Sequence, residues 1–270
     1  MKLCAVGDNV CDCYIDEGVY YPGGNSVNVA VNCKRNGCSE VNYIGVFGDD
    51  DKADYIKECL KQEGVTIFRS RKVCAPSAQP RVRLVNGDRV FERGPRDTCQ
   101  HLFSIHIVPE DIEVIRKYDC IHTSCYSNME YELETLSSIL DVAFDYSDKR
   151  DDAYIARTAP YVAYAFFSGS DLSDEECREL IRKTHAYGAK IVGITLGGRG
   201  AMFSDGREVV LQGIKKVEVV DTMGAGDSFI AGFLTRYCDK HNLKEALEYA
   251  SERAAATCQI PGGWGHPHRL

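Results

Sequence analysis

Residues 221–234 read DTMGAGDSFIAGFL. Three small residues, Gly224, Ala225 and Gly226, stand directly before Asp227, and an apolar, helix-like stretch follows. Glycine weakens helices and opens backbone angles that other residues avoid, so a glycine pair here points to a need for bare backbone. If a helix starts near residues 226–227, the amides of Gly224, Ala225, Gly226 and Asp227 have no intrahelical partners. Aided by the helix dipole, they can converge on one anion. A carboxylate beside a phosphate is repulsive unless it has a task there. Accepting a proton from a hydroxyl that attacks that phosphate is such a task. The other reading is a helix that Asp227 merely caps, with glycines for close packing. From spacing alone the two stand level.

The bulk numbers narrow the class. The 270 residues can bury a large core in one domain, with room for a small appendage. A composition of 44% apolar and 27% charged residues is that of an ordinary soluble globular protein. Net charge is −8, and there is no Lys/Arg-rich block, which argues against a nucleic-acid or membrane partner. The opening MKLCAVGDN has too short an apolar run for a signal peptide and reads as a first strand. No segment approaches the roughly 18 apolar residues of a membrane span. The thirteen cysteines are scattered, odd in number and without a C-x-x-C, so neither a disulfide framework nor a zinc ribbon is indicated. Reduced thiols in a cytoplasm are the expectation. The His266-Pro-His268 tail is expected to fray rather than to bind metal.

The elements that must position the motif alternate between strand-like and helix-like segments. LCAVG, VNYIGVFG, DCIHTS, VAFDYS, YVAYAFFS and KIVGITLG read as strands. NSVNVAVNCKRNG reads as a helix starting near Asn25 and stopped by Gly37. DDDKADYIKECLKQEG reads as another, with Ala53, Ile56, Cys59 and Leu60 on one stripe. A helix is expected around 133–140, and Ser173 and Glu176 have capping-box spacing before ECRELIRKTHAYG. Such alternation predicts an α/β fold with a mostly parallel sheet covered by helices on both faces. One stretch breaks the rhythm. QPRVRLVNGDRVFERG alternates apolar and charged residues around Asn86-Gly87, a hairpin signal. With CYIDEGVYYPGG it is expected to form a small separate sheet, serving as a lid or a dimerisation flap.

These motifs carry a resemblance. DTMGAGDSFIAGFL resembles the carboxy-terminal signature of the ribokinase-like (phosphofructokinase B) carbohydrate kinases, and PGGNSVNVAV resembles that family's amino-terminal signature. With ITLGGRGAMF between them, the likeness covers nearly the whole chain. GDNVCD, GDDD at 48–51, FDYSDK at 144–149 and QIPGGWG are together similar to the fructoselysine 6-kinase branch, which phosphorylates a glycated lysine.

The resemblance implies a single kinase domain over residues 1–270, an α/β/α sandwich whose β lid comes from about 12–22 and 77–96. It implies Asp227 as catalytic base with Gly224, Ala225 and Gly226 as its anion hole. Sugar contacts fall on Asp12, Asp8, Gly23, Gly24 and Asn28. ATP contacts fall on Thr195, Gly197, Gly200, Lys149, Gln259 and Gly262. Two departures concern Mg²⁺: the family's Asn-x-x-Glu place reads Ser168-Gly-Ser-Asp171, and its Asp-Pro-Asn-x-Arg stretch begins at Asp145 and ends in Lys149-Arg150. Asp145 and Asp171 are therefore the magnesium candidates. Asp221 and Thr222 stand where some members hold a monovalent cation such as K⁺.

The implied reaction moves the ATP γ-phosphoryl group to the 6-hydroxyl of a fructosamine such as fructoselysine. The α-carboxylate of that substrate calls for a cation at the lid rim, with Arg81, Arg83, Arg93 and Arg96 as candidates. A kinase for another sugar, sugar acid or nucleoside, and a sugar-sensing protein without turnover, are the rival readings. A dinucleotide oxidoreductase lacks support, because no G-x-G-x-x-G follows the first strand. A homodimer through the lid is the expected assembly.

Overall fold

The chain runs β1 (Lys2–Gly7), β2 (Val10–Tyr14), β3 (Val19–Gly23), α1 (Asn25–Arg35), β4 (Glu40–Phe47), α2 (Asp51–Gln62), β5 (Arg71–Lys72), β6 (Arg81–Val85) and β7 (Asp88–Glu92). It continues through α3 (Cys99–Leu102), α4 (Pro109–Ile115), β8 (Cys120–Ser124), α5 (Leu133–Ser137), β9 (Val142–Ser147), α6 (Asp152–Thr158), β10 (Tyr164–Ser168) and α7 (Asp174–Ala186). The last elements are β11 (Ile191–Thr195), β12 (Ala201–Ser204), β13 (Val209–Gln212), α8 (Ala225–Lys240), α9 (Leu243–Thr257) and β14 (His268–Arg269). This computed structural model describes residues 1–85, 88–92 and 94–270. The Asn86-Gly87 turn and Arg93 lie outside the described residues.

Local chemistry accounts for the helix ends. Beyond α1, Gly37 takes φ +96, the left-handed conformation that closes a helix. In α2 the expected stripe, Ala53, Ile56, Cys59 and Leu60, is the buried face, and Asp50 caps the Ala53 amide. Ser173 and Glu176 close a reciprocal capping box on α7, a device that contributes about 1 kcal/mol. Helix α5 is shorter than the expected 133–140. The Ser137 and Ser138 hydroxyls bond back to the carbonyls of Glu134 and Thr135, competing with further helical turns.

The main sheet has the order β13-β12-β11-β10-β9-β8-β1-β4-β5. Pairing is parallel from β5 to β11 and antiparallel at β12 and β13. Alternation along β1 sends Leu3 and Ala5 into the core beneath α1, α2, α8 and α9, and Cys4 and Val6 into the core beneath α5, α6 and α7. The chain leaves β1 toward β4 on one side and later returns to β8 on the other. Such a switch in strand order opens a crevice beyond the carboxyl ends of the strands.

A second sheet, β14-β3-β2-β6-β7, overlaps the segments expected to form a lid, begins earlier at Val10 and adds the carboxy-terminal strand. The expectation of a frayed tail is corrected here. His268 pairs with Tyr20, and the His266 Nε2 lies 2.7 Å from Glu63 Oε1. Pairing along the outer edge of β3 satisfies backbone groups that a free terminus would leave to water.

Candidate active site

A cavity of about 900 Å³ opens at the crevice between β1 and β8. Asp8, Asp145, Ser168 and Thr195, each at or just beyond the carboxyl end of a parallel strand, line it. Asp12 of the second sheet and Asp227 of α8 close its remaining sides.

Asp227 sits in the first turn of α8. Its Oδ1 accepts from Asn25 Nδ2 at 2.8 Å, and its Oδ2 from Asn28 Nδ2 at 2.6 Å. Both amides belong to one face of α1, where residues three apart are neighbours. Asn25 Nδ2 also donates to Asp145 Oδ2 at 2.7 Å, so one amide bridges two carboxylates. Burial raises the Asp227 pKa well above the usual carboxylate range; the charge of Asp145 adds to this, and the Asn28 hydrogen bond opposes it. The Asp145 pKa is pushed up to about 6 by burial, against the hydrogen bonds from the Ser147 amide and Asn25. Two neighbouring carboxylates therefore resist ionisation together, the condition under which one of them serves as a base near neutral pH.

The glycine motif is built around close backbone approach. Gly224 caps α8 at φ 69, and a Cβ there would lie 2.7 Å from Gly263 Cα. The helix starts at Ala225, slightly earlier than expected, and the Ala225 amide is bonded to the Thr222 carbonyl at 3.2 Å. That reduces its availability to an anion. The amides of Gly226 and Asp227 still fall in the first turn, where helix geometry leaves such groups without intrahelical acceptors.

The sugar-side expectations divide. Gly23 leaves room for the Asp12 carboxylate, which a side chain at that position would displace. Asp8 lines the cavity, but its carboxylate is held by the amides of Asn25 and Ser26 and by the hydroxyls of Ser124 and Ser127. It thus caps α1 from a distance. Gly24 permits that cap, since a Cβ would press on Asn9 Cα and the Asp8 carbonyl. Asn28 Oδ1 accepts from Trp264 Nε1 at 2.9 Å, which turns its amide nitrogen toward Asp227.

On the other side, Lys149 lines the cavity beside Thr195 and donates to the Cys125 carbonyl at 3.0 Å. Gly197 and Gly200, at φ 57 and φ 96, shape the turn between β11 and β12. Gln259 is exposed, and the Gly262 amide donates to Asp221 Oδ2 at 2.8 Å. Asp171 stands apart from the cavity lining and is fixed by Arg150 at 2.9 and 2.8 Å. The structure thus leaves Asp171 with Arg150, outside the cavity that Asp145 lines, and does not bring the two magnesium candidates together. Among the described residues no three His, Cys, Asp or Glu side chains converge to hold a metal ion. Asp221 is buried, accepting from Tyr14 Oη at 2.7 Å and the Met223 amide at 2.9 Å, while Thr222 is exposed. Of the arginines expected at the rim, Arg96 lines the cavity, and Arg83 is paired with Asp16 and Glu92.

Three residues of the site escaped the sequence reading: Asn25, His122 and Trp264. Asn25 stands three residues before Asn28, a helical spacing that put both amides on one face and was legible. The chain's one tryptophan was legible only as a rarity. Nothing local marked His122.

Strand-end crevice, helix-start amides and an adjoining pair of carboxylates define a phosphoryl-transfer site of the sugar-kinase kind. The description of the pfkB family carbohydrate kinases matches residues 5–90 and 137–265, and the chain belongs to that family. It is an ATP-dependent sugar kinase. It is similar to the Fructosamine kinase FrlD of Bacillus subtilis, with 46% identity over 100% of this chain and 96% of that one. The Fructoselysine 6-kinase of Escherichia coli is 35% identical over 97% of this chain and 99% of its own. Ribokinase from Giardia lamblia superposes with a TM-score of 0.84 at 19% identity, covering 98% of this chain and 94% of the other, a likeness of fold.

Proposed function

We propose that the chain transfers the γ-phosphoryl group of ATP to the 6-hydroxyl of a fructosamine such as fructoselysine. The observation that carries the mechanism is Asp227, a carboxylate of raised pKa held by Asn25 and Asn28 at the start of α8 and facing the cavity. The substrate class rests on the similarity to a fructosamine kinase and a fructoselysine 6-kinase, matched over nearly their full lengths.

In this reading Asp227 takes the proton of the 6-hydroxyl as that oxygen attacks phosphorus. Of the Gly224-Ala225-Gly226-Asp227 run, the amides of Gly226 and Asp227 face the phosphoryl oxygens, while Gly224 shapes the helix start and Ala225 stays bonded to Thr222. Lys149 adds positive charge on the nucleotide side. Thr195 lines the cavity on the side where ATP enters, and in this reading Gly197, Gly200, Gln259 and Gly262 belong to the loops around the nucleotide. A kinase of this family uses ATP and usually Mg²⁺, which binds phosphate oxygens and water and needs only one or two protein carboxylates. Asp145 fits that modest demand, and the ion would neutralise charge on the transferring group. Asp12, Gly23, Gly24 and Asn28 contact the sugar, with Asp8 holding α1 in place. Arg96 faces the amino-acid carboxylate of the substrate, and the second sheet, 12–22 with 77–96, closes over it to exclude water.

The assembly and setting follow from the same reading. The second sheet leaves Phe91 exposed, which suits a homodimer through the lid and is checked by light scattering. A K⁺ ion beside Asp221 and Thr222 would add to a carboxylate that protein donors already hold, and replacing K⁺ by tetramethylammonium tests for it. Thirteen scattered cysteines with no C-x-x-C suit the cytoplasm. Among the described residues no helix is long and apolar enough to cross a membrane.

The deciding assay is ADP release with Mg-ATP and fructoselysine, set against fructose, ribose, psicoselysine and glucoselysine, with Asp227→Asn as blank. Release with one glycated lysine, lost in the blank, is expected. Release with a simple sugar alone would discard the fructosamine assignment. Near-normal rates for Asp227→Asn would sink the base.

A further inference from the structure

One buried titratable side chain beside the site has no task in the reaction as proposed. His122, in β8, has no exposed surface, and its Nε2 lies 3.0 Å from Asn25 Oδ1. Its Nδ1 has no hydrogen-bond partner among the described residues. Such an orphan lowers stability, so a buried group that carries one is a candidate for a role at the site it touches.

The geometry settles the direction of each bond around Asn25. Its amide nitrogen lies 2.7 Å from Asp145 Oδ2 and 2.8 Å from Asp227 Oδ1, and an amide nitrogen has two hydrogens, one for each carboxylate. With both carboxylates ionised, as Asp227 is when it acts as base, the oxygen faces His122, whose Nε2 then carries the proton it donates. Burial holds that imidazole neutral, with a pKa lowered to about 3. A neutral His122 in this tautomer prevents the Asn25 amide from flipping. A flipped amide would aim its oxygen at both carboxylates. Facing Asp227 are also Asp145 from β9, Asp12 from β2 and Asp8 beyond β1, a concentration of like charge that opposes its ionisation.

We propose that Asn25, oriented by His122, is a positioning residue for the base. It bridges Asp145 and Asp227 and holds the Asp227 oxygen where the sugar hydroxyl arrives. The inference rests on the reading of Asp227 as base. It assigns His122 an indirect part, through one hydrogen bond to the amide.

The test measures kcat and both KM values, for Mg-ATP and for fructoselysine, in Asn25→Ala, His122→Phe, His122→Gln and Asp227→Asn, with Tm for each. Misplacing a reacting group by a fraction of an ångström lowers kcat more than binding. Asn25→Ala should lower kcat by about 10- to 100-fold with each KM within about twofold of the parent. His122→Phe should lower kcat by roughly 5- to 10-fold. His122→Gln, whose amide can donate where Nε2 does, should return kcat to within about twofold of the parent. If the Phe and Gln variants fold equally well and turn over alike, the orienting role of His122 is overturned. If Asn25→Ala raises KM and spares kcat, Asn25 binds substrate and does not position the base. Asn25→Ser replaces Asn25→Ala if the latter does not fold. An active Asp227→Asn removes the base reading and this inference together, whereas an inactive Asp227→Asn beside an unaffected Asn25→Ala overturns the positioning role alone.

Discussion

Replacing Asp145 by asparagine should change the pH dependence of stability in a calculable way. The Asp145 pKa rises from 3.8 to about 6 in the fold, chiefly through burial. Each pKa step of one corresponds to 1.36 kcal/mol, so ionised Asp145 opposes folding by on the order of 3 kcal/mol. The folded state holds this proton more tightly than the unfolded chain does. The group's favourable contribution is therefore complete below about pH 3.8 and is lost as pH rises through about 6. Roughly half of the loss falls between pH 5 and 7.5. Asparagine does not titrate, so the variant escapes it. The variant also carries a penalty independent of pH. Asn25 and the Ser147 amide both donate to Asp145, and a carboxamide offers only one acceptor to the two, at about 1–3 kcal/mol. Urea unfolding of both proteins at pH 5, 6 and 7.5, without nucleotide, separates the two effects. Relative to the parent, the variant should gain about 1–2 kcal/mol across that range. The same series in an Asp227→Asn background controls for the second carboxylate. Parallel stability curves would refute the burial argument for Asp145.

Three further outcomes follow from the site. Because the Asp227 pKa is raised, kcat/KM should fall as pH drops while still above the ordinary carboxylate range; a profile flat down to pH 5 would contradict a buried base. Gly224→Ala forces a side chain into a left-handed conformation and against Gly263, and should lower stability by about 1–3 kcal/mol in urea unfolding, with activity falling alongside. Arg96→Ala should raise KM for fructoselysine by about tenfold and leave KM for fructose unchanged, as steady-state kinetics with both substrates will show. Equal effects on the two sugars would remove Arg96 from carboxylate recognition.

Much of this protein was legible in near-neighbour spacing. The bounds of α1, the buried stripe of α2, the capping box of α7 and the strand–helix alternation depend on residues within a turn or two of each other. Periodicity and capping chemistry act over that range. The run Gly224-Ala225-Gly226-Asp227 was informative for the same reason, since a helix start and its carboxylate are local facts.

The partners of Asp227 were not legible in this way. Asn25 reaches it across 202 positions, His122 reaches Asn25 across 97, and Trp264 reaches Asn28 across 236. Those meetings depend on β1 lying between β4 and β8, and on the 262–265 loop packing against α1 and α8. Sheet order is a property of the whole chain. The same cause decided three other outcomes: Asp8 became a cap for α1, Asp171 went to Arg150, and the histidine tail became a strand. The residue types that do chemistry were thus determined by the sequence. Which of them hold the base, and which are occupied elsewhere, was decided by tertiary packing, because hydrogen-bond partners are chosen by distance in space rather than along the chain.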